Sequence, residues 1–206
     1  MKTFELKKYF EEISLEVKEN KDELVKLDQA FGDGDLGVTM VSGFNSVLKL
    51  FDGAVEEDFG KFFLSVSKTF NENAPSSLGT IISFVFFGMA KNLKSKTDVE
   101  FKDIAEALSC GLDHLKTRVE SKLGEKTILD GLVPAVEAFK DNSDDPVVAT
   151  DKAARVSEEG AKATVDMKAV HGRAAYHNEK TIGHMDGGAK LASVVFKAID
   201  KAVNNR

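Results

Sequence analysis

The 206-residue sequence has no tryptophan, three prolines and a single cysteine. Cys110 alone cannot form an internal disulfide or a cysteine-rich zinc cluster, so we expect it to pack as a small apolar residue in a reducing compartment. Residues 1–8 lack the continuous apolar core of a signal peptide. The uncharged stretch 73–90 contains polar residues, and its apolar part, Ile81–Phe87, is far shorter than a membrane span. We therefore expect a cytoplasmic protein with no membrane partner.

Basic residues are also in the minority. Lys and Arg total 28 against 34 Asp and Glu, which gives a formal net charge of -6. An acidic chain without a basic block is a poor ligand for a phosphate backbone, so nucleic acid is excluded as a partner. The length suits one domain over residues 1–206, and no linker rich in proline, glycine or serine divides it.

Period-two alternation, the mark of half-buried strands, is missing, and apolar residues recur at helical spacing. Asp145-Pro146 predicts a helix start, and Thr97-Asp98-Val99-Glu100 reads as a capping box. Although Ile81–Phe87 is apolar on every side and could form a strand, it would have no partner strand, so we predict helix. Helices are predicted at 3–19, 21–30, 36–51, 57–73, 77–93, 98–121, 126–140, 146–168 and 187–203. Short connections between them favour an all-α bundle or barrel of antiparallel neighbours.

The segment Leu27–Gly37 places three carboxylates, Asp28, Asp33 and Asp35, among three glycines. Like charges this close repel each other, and a hard cation such as Mg²⁺ is one good reason to gather them. A solvated turn of aspartates and glycines is the alternative. An EF-hand is excluded, because the positions that would carry its later oxygen ligands hold Gly37 and Phe44.

Two further polar stretches are candidates. In 171–188, Arg173 could neutralise a transferring phosphoryl group, and Gly187-Gly188 could let the backbone approach a ligand, although an ordinary loop is equally consistent. Its three histidines are spaced six and seven residues apart, which does not favour zinc. The stretch 124–130 reads most simply as a helix start with acidic residues in its first turn.

Taken in order, the three stretches resemble one family, the L subunit, or nucleotide-binding domain, of dihydroxyacetone kinases. The resemblance runs from about residue 4 to residue 203. Its motifs are Leu27-Asp28 with Gly32-Asp33-Gly34-Asp35, Gly124-Glu125-Lys126-Thr127 with Asp130, and Gly172-Arg173-Ala174 with Ile182-Gly183-His184 and Asp186. The resemblance implies an eight-helix antiparallel up-and-down barrel with a nucleotide at one end.

The same resemblance implies roles for individual residues. Asp28, Asp33 and Asp35 would hold two Mg²⁺ ions, and Arg173 would stabilise the transferring group. Contacts to ADP or ATP would come from Leu36, Gly37, Val38, Thr39, Ser77, Leu78, Thr127, Ile128, Arg173, Asp186, Gly187 and Gly188. In the bacterial form, a phosphocarrier M subunit recharges retained ADP to ATP, and dihydroxyacetone is held on a separate K subunit.

Several positions depart from the family pattern. Leu36 stands where L subunits have histidine, 75–79 replaces a turn richer in glycine, and Gly187 replaces proline. Two hypotheses therefore remain: an active phosphotransferase acting on dihydroxyacetone or a related keto-sugar, and a non-catalytic paralogue that regulates by binding metal or a partner. Whether the chain forms a homodimer stays open.

Overall fold

The computed structural model describes residues 1–204, and helices account for all of its regular secondary structure in that range. The all-α fold predicted from the sequence is confirmed. Nine α-helices are present in the described part: α1 Lys7–Glu19, α2 Lys21–Gln29, α3 Leu36–Leu48, α4 Phe59–Asn73, α5 Ser77–Asn92, α6 Phe101–Lys116, α7 Leu129–Asp141, α8 Pro146–Ala163 and α9 Gly187–Asn204. Short 3₁₀ helices occupy Thr3–Leu6, Lys49–Phe51, Thr164–Asp166 and Arg173–Thr181.

Eight of these helices follow one another around a ring. From α3 to α9 each helix packs against the next, α9 returns to α1, and α1 packs against α3. The ninth, the short helix α2, contacts α3 and α9. It thereby brings Asp28, in its last turn, to the first turns of both helices.

The apolar faces of the ring helices meet in a core dominated by phenylalanine. Phe62, on α4, lies edge-on to Phe10 of α1 with ring centroids 6.5 Å apart, and Phe70 lies edge-on to Phe44 of α3 at 4.9 Å. These geometries are the favourable ones for aromatic pairs. Inside the ring, apolar and aromatic side chains line a cavity of about 160 Å³.

The first and last ring helices are joined by a buried carboxylate. Glu16 of α1 is 1% exposed and forms ion pairs with Lys197 and Lys201 of α9. Burial raises the pKa of Glu16, but the hydrogen bond from Lys201 and the charge of Lys197 outweigh burial and hold it below its ordinary value. These ion pairs between α1 and α9 therefore help close the ring.

Two sequence predictions are confirmed, one about the secondary structure of a segment and one about the start of a helix. Ile81–Phe87 lies within α5 and is helical. Asp145 caps α8, because its carboxylate accepts hydrogen bonds from the backbone N–H groups of Val147 and Val148 at 3.0 and 3.3 Å, and Pro146 takes the first helical position. None of the helices in residues 1–204 has the length and apolar character needed to cross a bilayer.

The predicted start of α6 is wrong. The sequence predicted a helix over 98–121, but Asp98 instead forms an ion pair with the amino terminus of Met1 at 2.9 Å. The helix begins after Glu100, whose backbone N–H donates to the Asp103 carboxylate at 2.8 Å. The capping box therefore uses a carboxylate three residues beyond the one expected.

The helices on both sides of the 142–145 connection are shorter than predicted, and the loop before α9 is more regular. The predicted helix 126–140 begins only at Leu129, since Lys126 has a φ of 60° that no right-handed helix contains. The predicted helix 146–168 ends at Ala163. Residues 171–186 fall outside the predicted helices, yet Arg173–Thr181 forms a 3₁₀ helix interrupted at Asn178.

Candidate nucleotide and metal site

The three predicted metal ligands meet where α2 ends and α3 begins. Asp28 lies in the last turn of α2, Asp33 in the following turn, and Asp35 immediately before α3. One carboxylate oxygen from each lies within 4.8 Å of the others. The structure therefore brings all three carboxylates to one point.

Glycines make this convergence sterically possible. A Cβ at Gly32 would lie 2.2 Å from Oδ1 of Asp28, and Gly34 has a φ of 75°, in the region that favours glycine. The other carboxylate oxygen of Asp28 accepts the backbone N–H of Leu36 at 3.3 Å. The turn is thus folded around Asp28. In the first turn of α3, the N–H groups of Leu36 and Thr39 are paired with Asp28 and Asp35, which leaves those of Gly37 and Val38.

The proximity of the three carboxylates is electrostatically unfavourable. Burial, and then the charges of Asp33 and Asp28, raise the pKa of Asp35, while the nearby Arg173 guanidinium opposes that shift. Arg173 forms an ion pair with Asp33, although both side chains are well exposed. Three oxygen donors with unfavourable mutual repulsion fit a hard divalent ion such as Mg²⁺.

Aromatic contacts also bring the Arg173 segment to the aspartates. The ring of Phe31, in the aspartate turn, lies between His177 and His184, with centroid distances of 5.2 and 5.0 Å. Arg173 begins the 3₁₀ helix after Gly172, which has a φ of 62°. The predicted functional loop therefore does reach the predicted metal ligands.

The third predicted stretch folds around a buried carboxylate. Asp130 is 2% exposed and accepts hydrogen bonds from the backbone N–H groups of Gly124 at 2.5 Å and Thr127 at 2.7 Å. A Cβ at Gly188 would lie 3.1 Å from Cβ of Ile128. Thr127 and Ile128 are therefore held next to the start of α9.

Asp186 precedes α9 at this junction. Its carboxylate accepts the backbone N–H of Ala189 at 2.7 Å, and its own N–H donates to Oγ1 of Thr164 at 2.9 Å. Burial, with a smaller contribution from the charge of Asp130, raises the pKa of Asp186 to about 6, against opposing hydrogen bonds and the charge of Lys126. A carboxylate held in so unfavourable a place is typical of functional sites.

Comparison with known proteins gives this geometry a context. The DAK2 domain matches residues 30–201, which is most of the chain. The chain belongs to the DAK2 domain family.

Individual relatives of this DAK2 chain agree with that assignment. It is 33% identical over 185 residues to the protein of Listeria innocua named "PEP-dependent dihydroxyacetone kinase 1, ADP-binding subunit DhaL", covering 89% of this chain and 88% of that one. It is 29% identical over 176 residues to the corresponding Escherichia coli subunit, covering 84% of this chain and 83% of the other. The resemblance seen in the sequence is confirmed.

A solved structure shows the same fold. The dihydroxyacetone kinase from C. freundii, crystallised with AMP-PNP and Mg²⁺, superposes with a TM-score of 0.77 at 21% identity. The match covers 95% of this chain and 33% of that one, so this DAK2 chain spans about a third of the larger kinase.

Two departures from the family pattern are in contact with each other. A Cβ at Gly187 would lie 2.7 Å from Cδ2 of Leu36 and 3.9 Å from the backbone nitrogen of Asp28. Leu36 is 7% exposed, so its side chain fills the space beside a glycine where the family has proline. The two positions at which the resemblance predicted histidine and proline are therefore neighbours in the structure.

The other predicted nucleotide residues are placed unevenly. Gly37, Val38 and Thr39 form the first turn of α3 beside the aspartates, where the Thr39 hydroxyl donates to the Asp35 carbonyl at 3.1 Å. Ser77 and Leu78 begin α5, and no hydrogen bond or ion pair in residues 1–204 ties them to the aspartate cluster. Their position in a nucleotide site stays a prediction.

Three contacts at the site were not predicted from the sequence. Lys126 is 5% exposed and donates to four backbone carbonyls, although a lysine in a presumed helix start carries no signal of burial. His171 lies 2.6 Å from the Glu125 carboxylate, a pairing of residues 46 positions apart. Only Phe31 had a visible signal, because an aromatic residue inside a glycine–aspartate turn is unusual for a solvated loop.

Proposed function

We propose that this chain is an L-type subunit of a phosphotransferase-system-dependent dihydroxyacetone kinase. It would bind Mg-ADP or Mg-ATP in one L-type nucleotide-binding domain over residues 1–206, of which 205–206 lie outside the described residues. The phosphoryl group passes to dihydroxyacetone, or a related small keto-sugar, held on a separate K-type subunit. The convergence of three carboxylates within 4.8 Å beside Arg173 carries the proposal.

Asp28, Asp33 and Asp35 are the residues that would hold the metal, with two Mg²⁺ ions expected. When bound, the ions and the nucleotide supply charge neutralisation and the phosphoryl donor. The chain itself supplies positioning. The backbone N–H groups of Gly37 and Val38 at the start of α3 would serve an anion, and the Asp28 carboxylate is fixed by the bond it accepts from Leu36.

Arg173 is the catalytic residue in this proposal. Its guanidinium forms an ion pair with Asp33, and a planar cation beside the predicted metal ligands can neutralise charge that develops on a transferring phosphoryl group. Thr127 and Ile128, together with Asp186, Gly187 and Gly188 at the start of α9, are assigned to nucleotide binding by the family resemblance, and the proximity of Gly188 to Ile128 supports that assignment. Ser77 and Leu78 are assigned to the base by family resemblance.

The proposed partners rest on the family resemblance. The Listeria innocua relative is named an ADP-binding subunit of a PEP-dependent dihydroxyacetone kinase, which supports assigning the keto-sugar site to a K-type subunit and recharging of ADP to a phosphocarrier M subunit. The net charge of -6 argues against nucleic acid as a partner. We place the protein in the cytoplasm, where its phosphorylated partners would be found.

The first experiment identifies the bound nucleotide. The protein is purified in Mg²⁺ and denatured, and the released nucleotide is analysed by chromatography and mass spectrometry. Near-stoichiometric ADP supports the kinase subunit. No nucleotide, together with no binding of added Mg-ADP or Mg-ATP, would instead favour the non-catalytic regulator.

The second experiment removes one carboxylate. Asp33→Ala is expected to lose metal binding, nucleotide binding and phosphoryl transfer together, because the remaining two carboxylates lack a third ligand and Arg173 loses its partner. Asp151→Ala, an exposed aspartate on α8, serves as the matched control and should behave as wild type. Full transfer activity in Asp33→Ala would contradict the assignment of the metal site.

A further inference from the structure

The ammonium group of Lys126 lies at the base of the segment that carries Arg173. Its Nζ donates to the carbonyls of Thr164 at 2.7 Å, Met167 at 3.1 Å, Thr181 at 2.8 Å and His184 at 2.5 Å. An ammonium has three protons, so one of the four bonds is shared. All four acceptors are main-chain atoms, which fixes backbone rather than side chains.

These four carbonyls belong to two stems. Thr164 and Met167 lie before the segment 168–180, and Thr181 and His184 lie after it. The Lys126 ammonium therefore joins the two stems of the 168–180 loop, which contains the start of the 3₁₀ helix at Arg173. Two weaker ties support the same closure: the Gly183 N–H donates to the Val165 carbonyl at 2.8 Å, and the Ala169 N–H donates to Oγ1 of Thr181 at 3.0 Å.

The loop above this base is open. Arg173 is 65% exposed and Tyr176 is 85% exposed, so few packed side chains define the direction of the loop. Phe31 contacts the loop at His177, Asp33 contacts it at Arg173, and Glu125 contacts it at His171 at 2.6 Å. Lys126 differs from these contacts because it holds both stems at once.

The backbone conformation and the burial of Lys126 are both energetically unfavourable. It has a left-handed φ of 60°, and burial lowers the pKa of its ammonium although the charges of Asp186 and Asp166 oppose that shift. Such backbone and burial costs persist where the surroundings determine a conformation strongly, often at functional sites. A lysine that merely began a helix would be exposed instead.

We propose that Lys126 is a positioning residue for phosphoryl transfer, which fixes both stems of the 168–180 loop so that Arg173 is held over the aspartate cluster. The inference rests on the proposed role of Arg173. Small displacements of a catalytic group cost large factors in rate, so loosening the stems should reduce transfer strongly while leaving the fold intact.

The first test measures loop motion without any ligand. The chain has no tryptophan, so Tyr176→Trp introduces a single fluorophore on the exposed loop. In that background, Lys126→Met should add a fast component to the time-resolved anisotropy decay. Lys152→Met is the matched control, because Lys152 is also partly buried and donates to Asn142 at 2.6 Å, at the other end of α8. An unchanged decay in Lys126→Met would overturn the proposal.

The second test asks whether Lys126 acts through Arg173. Phosphoryl transfer to dihydroxyacetone is measured with the cognate K-type and phosphocarrier subunits for wild type, Lys126→Met, Arg173→Ala and the double variant. Lys126→Met should lower the rate by about 10²-fold. In the Arg173→Ala background, it should have little further effect. A general structural role would instead give independent, multiplicative losses, and that result would reject the proposal.

Two further results would also bear on the proposal. If Lys126→Met does not fold by circular dichroism, Lys126→Arg keeps the charge but not the four-carbonyl geometry, and the same two tests apply to it. If Arg173→Ala retains full activity, the catalytic role proposed for Arg173 is wrong, and positioning by Lys126 falls with it. The anisotropy result then still decides whether Lys126 holds the loop.

Discussion

Replacing Asp186 by asparagine should make the protein more stable at neutral pH. The Asp186 carboxylate caps α9 by accepting the Ala189 N–H, a role that the asparagine side-chain oxygen can also fill. The substitution therefore removes the buried charge while keeping the cap. Because the charge is the unfavourable part of this arrangement, its removal should stabilise the fold.

The magnitude and its pH dependence follow from the raised pKa. Burial moves the pKa of Asp186 from 3.8 to about 6, so between those values the native state holds a proton that the unfolded state has released. Stability from this group is therefore greatest below about pH 4 and is lost as pH rises to about 6. The interval corresponds to at most about 3 kcal/mol, and partial solvent exposure reduces it.

Urea unfolding followed by circular dichroism measures this directly. In EDTA at pH 7.5, Asp186→Asn should unfold with a free energy about 1 to 3 kcal/mol higher than wild type, and the gain should disappear near pH 4. Asp145→Asn is the control, since Asp145 caps α8 in an exposed position and should change little. A variant no more stable than wild type at pH 7.5, or equally stabilised at pH 4, would refute the reasoning.

Three other changes test the packing around the site and the ring closure. Glu16→Ala should lower the unfolding free energy by about 2 to 3 kcal/mol, because a buried carboxylate paired with Lys201 is lost. In the wild type, the stabilisation from Glu16 should decrease as the pH falls below the ordinary carboxyl range. Urea titrations at pH 7 and pH 3.5 would show this decrease. Gly187→Ala should destabilise by about 1 to 2 kcal/mol, because its Cβ would press on Leu36. In a Leu36→Ala background that penalty should shrink by at least about 0.5 kcal/mol, and strict additivity in thermal unfolding would show that the two departures are unrelated.

Local sequence features predicted much of the fold correctly. Helical spacing of apolar residues located the α-helices, and the Asp145-Pro146 pair marked the start of α8. One error arose where a distant residue competed for a local cap. Asp98 is taken by the amino terminus of Met1, so α6 begins later, and no local pattern reports a pairing 97 residues apart.

The candidate site also combines residues that are close in the sequence with residues that only the fold brings together. The three aspartates fall within eight residues of the chain, and intervening glycines can bring them together, so their convergence could be predicted from the sequence. Arg173 and Asp33 are 140 residues apart, and only family resemblance linked them before the structure did. The burial of Lys126 had no counterpart in the sequence pattern at all.

The sequence by itself determined that this protein is all-helical, acidic and equipped with a carboxylate cluster in a glycine-rich turn. These properties depend on composition, periodicity and short-range geometry, which are written locally in the chain. The tertiary structure alone decided that Lys126 closes the Arg173 loop and that Leu36 packs beside Gly187. Those contacts depend on which helix ends meet when the ring closes, and burial and electrostatics act between atoms that are close in space regardless of their separation in sequence.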